Sequence, residues 1–139
     1  MTSPSFLTSS LLVAVGGGFG SWLRYIVSRM TISIIGPVRA SEFPWSTLSV
    51  NVLGSFAMGL LVGWMARYGA NSGLGGQDLR LLLGVGLLGG FTTFSSFALE
   101  FALFVERGAI CSALAYVGLS LVAGFAGLFL GLMLMRSAL

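Results

Sequence analysis

The chain contains no histidine and no lysine, and its one cysteine is Cys111. Without histidine there is no imidazole metal site and no histidine-based catalytic triad, and a lone thiol cannot close an internal disulfide. Cys111 reads as a small apolar residue near a helix start. Charge is also scarce: 8% of residues are charged, against about 25% in a soluble domain. The seven basic residues are all arginine and are dispersed. The pI of about 9.8 therefore reflects isolated loop arginines, not a patch, and nucleic acid is not an expected partner. No nucleophile–base or metal-ligand constellation is present, so an enzyme is not expected. What remains is apolar, 56% hydrophobic with a mean hydropathy of +0.99. These features describe an all-α integral membrane protein whose partner is the lipid bilayer, with 139 residues for one bundle and no second domain.

A helix needs about 20 residues to cross the hydrocarbon core, and four segments qualify. They are residues 6–27, 45–68, 79–105 and 110–135. The first lacks a preceding basic region of the signal-peptide kind and is expected to stay in the mature protein. A loop from Ser28 to Phe43 follows it, whose Thr31–Ile35 portion either extends the helix or lies at the interface. Pro44 and Trp45 open the second span, Pro suited to a helix start and Trp to the headgroup level. Asn71 to Gly76 is a glycine-rich turn.

The third span has an unusual centre, Gly89-Gly90-Phe91-Thr92-Thr93-Phe94-Ser95-Ser96-Phe97. Two glycines loosen the backbone, and four hydroxyls compete for its hydrogen bonds. The third helix is expected to break there, at mid-membrane. Lipid cannot satisfy the freed amides and carbonyls, so they must be buried in protein or line a polar cavity. Such breaks are typical of ion and substrate sites.

Orientation signals nearly cancel. Arg67, Arg80 and Arg136 fall on one side and Arg29, Arg39 and Arg107 on the other, with Arg24 making four against three. The positive-inside rule needs an excess to fix topology. Either other signals override a weak bias, or the chain inserts both ways and pairs as an antiparallel homodimer. Glycines recur at helix-packing spacing, at Gly16/Gly20, Gly59/Gly63, Gly86/Gly90 and Gly127/Gly131. They allow close backbone approach, the main source of helix association in lipid.

Polar side chains at membrane depth are costly and point to function. Thr47, Asn51 and Ser55 recur every fourth residue on the second span, and Ser112, Tyr116 and Ser120 on the fourth. Each set forms one helix face. Asn51 suits an interhelical hydrogen bond or a pore lining equally. Phe94 and Phe97 alternate with Thr93, Ser95 and Ser96, and aromatic ring edges carry partial positive charge that can face a dehydrated anion. Phe101 and Phe104 read as core or lipid-facing. Glu100 is either partly hydrated near the span end or a buried titratable group. Arg24 either snorkels or attracts anions at a vestibule.

The motifs Gly17-Gly18-Phe19-Gly20-Ser21-Trp22-Leu23-Arg24-Tyr25, Thr47-Leu48-Ser49-Val50-Asn51-Val52-Leu53-Gly54-Ser55-Phe56 and Gly89 to Phe97 resemble the Fluc/CrcB family of small fluoride ion channels. The likeness covers nearly the whole chain. It implies an antiparallel dual-topology homodimer in the inner (plasma) membrane, with two fluoride pores and a structural sodium ion (Na+) on the two-fold axis. The sodium would be held by the backbone carbonyls of Gly89 and Thr92 from both subunits. The resemblance puts pore phenylalanines at Phe94 and Phe97, the pore asparagine at Asn51, and a polar track at Thr47, Ser95, Ser96, Tyr116 and Ser120. Arg24 matches a family arginine. Gly124 departs from the pattern, since some members carry a further hydroxyl there. The chemistry agrees: fluoride cannot shed its water without replacement, and neutral donors in a narrow pore replace it without trapping the ion. The implied role is passive export of fluoride that enters acidified cells as HF.

Two other readings share the size of the chain. A proton-coupled exporter needs an embedded carboxylate, for which Glu100 is the one candidate. A non-transporting membrane subunit would pack through its glycines and carry no flux.

Overall fold

The computed structural model describes residues 5–68 and 76–137. The glycine-rich turn expected from Asn71 lies, apart from Gly76, outside the described residues. Helix α1 spans Phe6–Ile35 and begins where the Ser5 hydroxyl accepts the Thr8 N–H at 3.2 Å, a side-chain cap on an otherwise unpaired amide. It continues past the expected end near Val27 because residues 28–35 contain neither glycine nor proline. Gly36 stops it, with φ +83° and its amide still bonded to the Ile32 carbonyl. Pro37, preset for a first helical turn, then starts the short α2 (Pro37–Glu42). Phe43 is extended, and α3 follows as Trp45–Tyr68.

The third segment is composite. It consists of α4 (Gly76–Leu79), a π-helical stretch Arg80–Leu88, α5 (Gly89–Phe91) and α6 (Phe94–Glu106). Its start at Gly76 precedes the expected Leu79. A turn at Gly108 (φ +72°) leads into α7, Ile110–Ser137, which ends beyond the expected Met135. Among the described residues four stretches are long and apolar enough to cross a membrane: Phe6–Ile35, Trp45–Tyr68, Gly76–Glu106 and Ile110–Ser137. Among the described residues there are no strands. The chain is an all-helical, multi-pass membrane protein.

Glycines decide how these helices meet. A Cβ on Gly16 would collide with the Leu82 carbonyl, one on Gly20 with the Leu87 carbonyl, and one on Gly90 with the Gly17 carbonyl. The α1 backbone therefore lies directly on the third segment. In the same way Gly59 faces the Leu128 carbonyl and Gly131 the Phe56 carbonyl, bringing α3 onto α7. Large apolar side chains mostly point outward, as a bilayer permits. Of the large side chains Tyr116 and Val50 are fully enclosed, and Tyr116 packs in a core cluster with Leu48, Phe104 and Ala113. Gly54 is a further close approach: a Cβ there would strike the Thr92 methyl, so α3 passes tightly beside the end of α5.

Candidate functional site

Helical geometry stops at Phe91. Thr92 (φ −82°, ψ 160°) and Thr93 (φ −151°, ψ 123°) are extended, and α6 starts at Phe94. In an unbroken helix the Thr93 N–H would donate to the Gly89 carbonyl. Here it donates to Asn51 Oδ1 at 2.8 Å, while Asn51 Nδ2 returns a bond to the Thr93 carbonyl at 3.0 Å. The Ser96 N–H, which would serve the Thr92 carbonyl, donates instead to Thr93 Oγ1 at 3.2 Å and caps α6. Gly89 and Thr92 thus present carbonyl oxygens that have lost their helical donors. Neutral oxygens of this kind suit a hard cation. Among the described residues no group of three His, Cys, Asp or Glu side chains could hold a metal. The Ser21 hydroxyl reaches the Gly90 carbonyl at 3.4 Å, tying α1 to the same point.

Beside the break lies an open cavity of about 440 Å³, walled by α3, α6 and α7. Asn51, Ser55, Thr93, Phe94, Phe97 and Ser120 line it, and none of its wall residues is charged. The Asn51 amide has two N–H groups, one of which is spent on Thr93. Ser120 carries a buried hydroxyl with no partner among the described residues. Phe94 and Phe97 lie with ring centroids 5.9 Å apart, and Phe94 is 79% exposed in the single chain. Gly124 also lines the cavity, and a Cβ there would sit 3.7 Å from Ser55 Oγ. The α3 hydroxyl of Ser55 therefore occupies the neighbourhood that a hydroxyl at position 124 would fill.

One helical turn below, the same three helices contribute a second polar tier. Thr47 Oγ1 donates to Glu100 Oε1 and the Tyr116 hydroxyl to Glu100 Oε2, both at 2.6 Å. Thr47 and Tyr116 are buried and Glu100 is half-buried. The aromatic packing of Tyr116 against Phe97 and Phe104 holds the phenol in place, with Phe43 edge-on at 5.5 Å. Thr47 and Tyr116 therefore do not wall the cavity but stand at its base, bound to Glu100. Ser95 and Ser96 also stand back from it, gathered around the Thr93 hydroxyl at 3.3 and 3.2 Å. Arg24 lies half-buried on α1 outside the cavity wall, with no partner among the described residues.

Beside the residues given a pore or metal role from sequence, the structure places Ser55, Thr93 and Gly54 at the site. Ser55 was visible in the every-fourth-residue stripe, and Thr93 among the hydroxyls. Gly54 stood out only as a member of the second motif, because its role depends on a methyl 38 positions away.

Residues 11–132 match the family described as CrcB-like protein, Camphor Resistance (CrcB). A relative from Novosphingobium aromaticivorans, named fluoride-specific ion channel FluC, is 53% identical over 94% of this chain and 98% of its own. Proteins of the same name from Rhodospirillum centenum and Mesorhizobium japonicum are 50% and 43% identical, covering 92% and 91% of this chain and 95% of each relative. With the match spanning all four apolar segments and the polar residues between them, the chain belongs to the CrcB family.

Proposed function

We propose that the protein is a fluoride-selective channel that lets the anion leave the cell passively through the inner (plasma) membrane. The observation that carries this reading is the uncharged cavity beside the helix break. Its walls offer an asparagine N–H, hydroxyls and phenylalanine edges, neutral groups that can replace a hydration shell without trapping the ion. The relatives' name points to the same substrate.

In this reading the working unit is an antiparallel, dual-topology homodimer, which the near-even arginine distribution favours. The break lies at mid-membrane, and Phe94, largely exposed in one chain, faces the second subunit. The Gly89 and Thr92 carbonyls would hold a structural sodium ion on the two-fold axis, four oxygens in all. Bound there, the cation supplies positive charge that compensates backbone dipoles which lipid cannot satisfy. Asn51 fixes the extended segment, and Ser120, Phe94 and Phe97 pass the anion. The hydroxyls of Thr47, Tyr116, Ser95 and Ser96 continue the track, and Arg24 raises anion concentration from the side of α1.

The test is efflux from liposomes containing the purified protein, with fluoride and chloride compared. Fluoride flux without chloride flux is expected. Phe94→Ile and Phe97→Ile should each lower it at least about tenfold, about 1.4 kcal/mol in barrier height, while the protein still elutes as a dimer. Replacing sodium by N-methylglucamine should weaken both dimer and flux. Equal passage of chloride, or unchanged flux in both variants, would overturn the proposal. Fluoride movement driven by a pH gradient and lost in Glu100→Gln would point to a proton-coupled exporter.

A further inference from the structure

A second cavity, of about 150 Å³, lies beyond Glu100 at the end of the bundle that carries α2. Ser41, Pro44, Ser46, Glu100, Phe104 and Arg107 are among its walls. Glu100 belongs to this wall and also to the polar tier at the base of the larger cavity. The order along α6 is therefore Phe97 at the large cavity, Glu100 at the tie with Thr47 and Tyr116, then Phe104 and Arg107 at the small one. The small cavity is large enough for ordered water, whereas the tier between the two is closed by a pair of 2.6 Å hydrogen bonds.

Both Glu100 oxygens accept hydroxyl protons from Thr47 and Tyr116. Arg107 is exposed and, among the described residues, has no ion pair or hydrogen bond through its guanidinium. The nearby carboxylates Glu42 and Glu106 are exposed and do not wall the cavity. The guanidinium is thus the charged group in this wall that makes no bond among the described residues, and for an entering anion it offsets the carboxylate of Glu100. A cation at the lip of a passage raises the local anion concentration without holding an ion inside it.

We propose that this cavity is the mouth of the passage at the membrane face bearing α2, and that Arg107 draws fluoride to it. The proposal rests on the channel reading above and extends it to residues outside the polar track. The ligand chemistry is that of a small anion. A lipid headgroup phosphate shares that chemistry, and the test separates the two.

Fluoride efflux is measured from zwitterionic phosphatidylcholine vesicles over a range of fluoride and salt concentrations, for wild type, Arg107→Gln, Arg107→Lys and Arg107→Glu. A unit charge about 6 Å from the ion's path changes its local concentration about threefold in water. At low fluoride and low ionic strength Arg107→Gln should therefore slow efflux about threefold and Arg107→Glu about tenfold, with Arg107→Lys restoring the wild-type rate. The deficit should vanish at saturating fluoride and at 1 M impermeant salt, where the screening length is about 3 Å. Wild-type flux in Arg107→Gln at low salt would overturn the assignment. So would a deficit indifferent to salt, which marks a packing role, or one seen only after anionic lipid is added, which marks a headgroup contact. Absence of fluoride flux in the wild type would instead strike at the channel reading itself.

Discussion

Along the seam between α3 and α7 nothing separates the two backbones, whereas around Thr92 and Thr93 backbone groups are given over to side chains. In the seam, Gly59 and Gly131 are required because a carbonyl lies where their Cβ would be. At the break, Asn51 takes the place of the helical acceptor of the Thr93 N–H and adds a second donor to the Thr93 carbonyl. The first arrangement joins helices without polar chemistry, and lipid offers no competing reward for side-chain burial. The second exchanges regular hydrogen bonds for movable donors, the property an ion path needs. Substitutions should therefore separate assembly from conduction, and four experiments test how cleanly.

The largest effect is expected in the seam. In Gly131→Val a Cβ would enter the Phe56 carbonyl and crowd the Leu60 amide, both rigid backbone. Overpacking of this kind costs about 3 kcal/mol or more when neither side can yield. Denaturant titration in detergent should show a loss of that size, with flux falling only as folded protein falls.

Asn51→Ala attacks the other region. It leaves the Thr93 N–H without an acceptor, at about 1–3 kcal/mol for a buried group, while the Thr93 carbonyl, at the N-cap of α6, keeps its first intrahelical donor. Stability should drop by less than in Gly131→Val, yet flux per folded protein should disappear. Equal losses in the two readouts would mean that Asn51 is only a structural brace.

Smaller again are Thr47→Val and Tyr116→Phe, each removing one hydroxyl from Glu100. A hydrogen bond to a carboxylate contributes about 1.5–3 kcal/mol. Because Glu100 is half-buried, solvent can replace part of it. A double-mutant cycle should return a coupling of about 1 kcal/mol, since the two hydroxyls share one acceptor. Additive effects would show that water, not the carboxylate, had been their partner.

Much of the architecture was readable because lipid imposes simple rules. Four apolar stretches, the helix-spaced glycines and the density of hydroxyls after Gly89 needed no knowledge of distant contacts. The first span is expected to end near Val27, with Thr31–Ile35 either extending it or lying at the interface; the helix runs on because nothing stops it before Gly36. The site was less legible. That Thr92 and Thr93 are the residues that leave the helix depends on Asn51, 42 positions away from Thr93. Glu100 could be read as hydrated or buried. Its fate was set by Thr47 and Tyr116, whose own spacing pointed only to a helix face.

The smallest expected effect is the most diagnostic of where the second subunit of the proposed dimer lies. Gly18 sits in the same glycine-rich run as Gly16 and Gly20, yet nothing lies within 4 Å of a Cβ built on it, and it is exposed. Within one chain Gly18→Ala should be neutral or stabilising by up to about 1 kcal/mol, the difference in helix propensity. Gly20→Ala should be strongly destabilising, because the Leu87 carbonyl and Phe91 amide occupy its Cβ position. If Gly18→Ala leaves both dimer and flux intact, that face of α1 meets lipid. If it weakens the dimer while Phe94→Ile does not, the close approach between subunits runs along α1, and the placement of Phe94 against the second subunit fails. The two glycines, one turn-half apart on the same helix, thus distinguish packing within the chain from packing between chains.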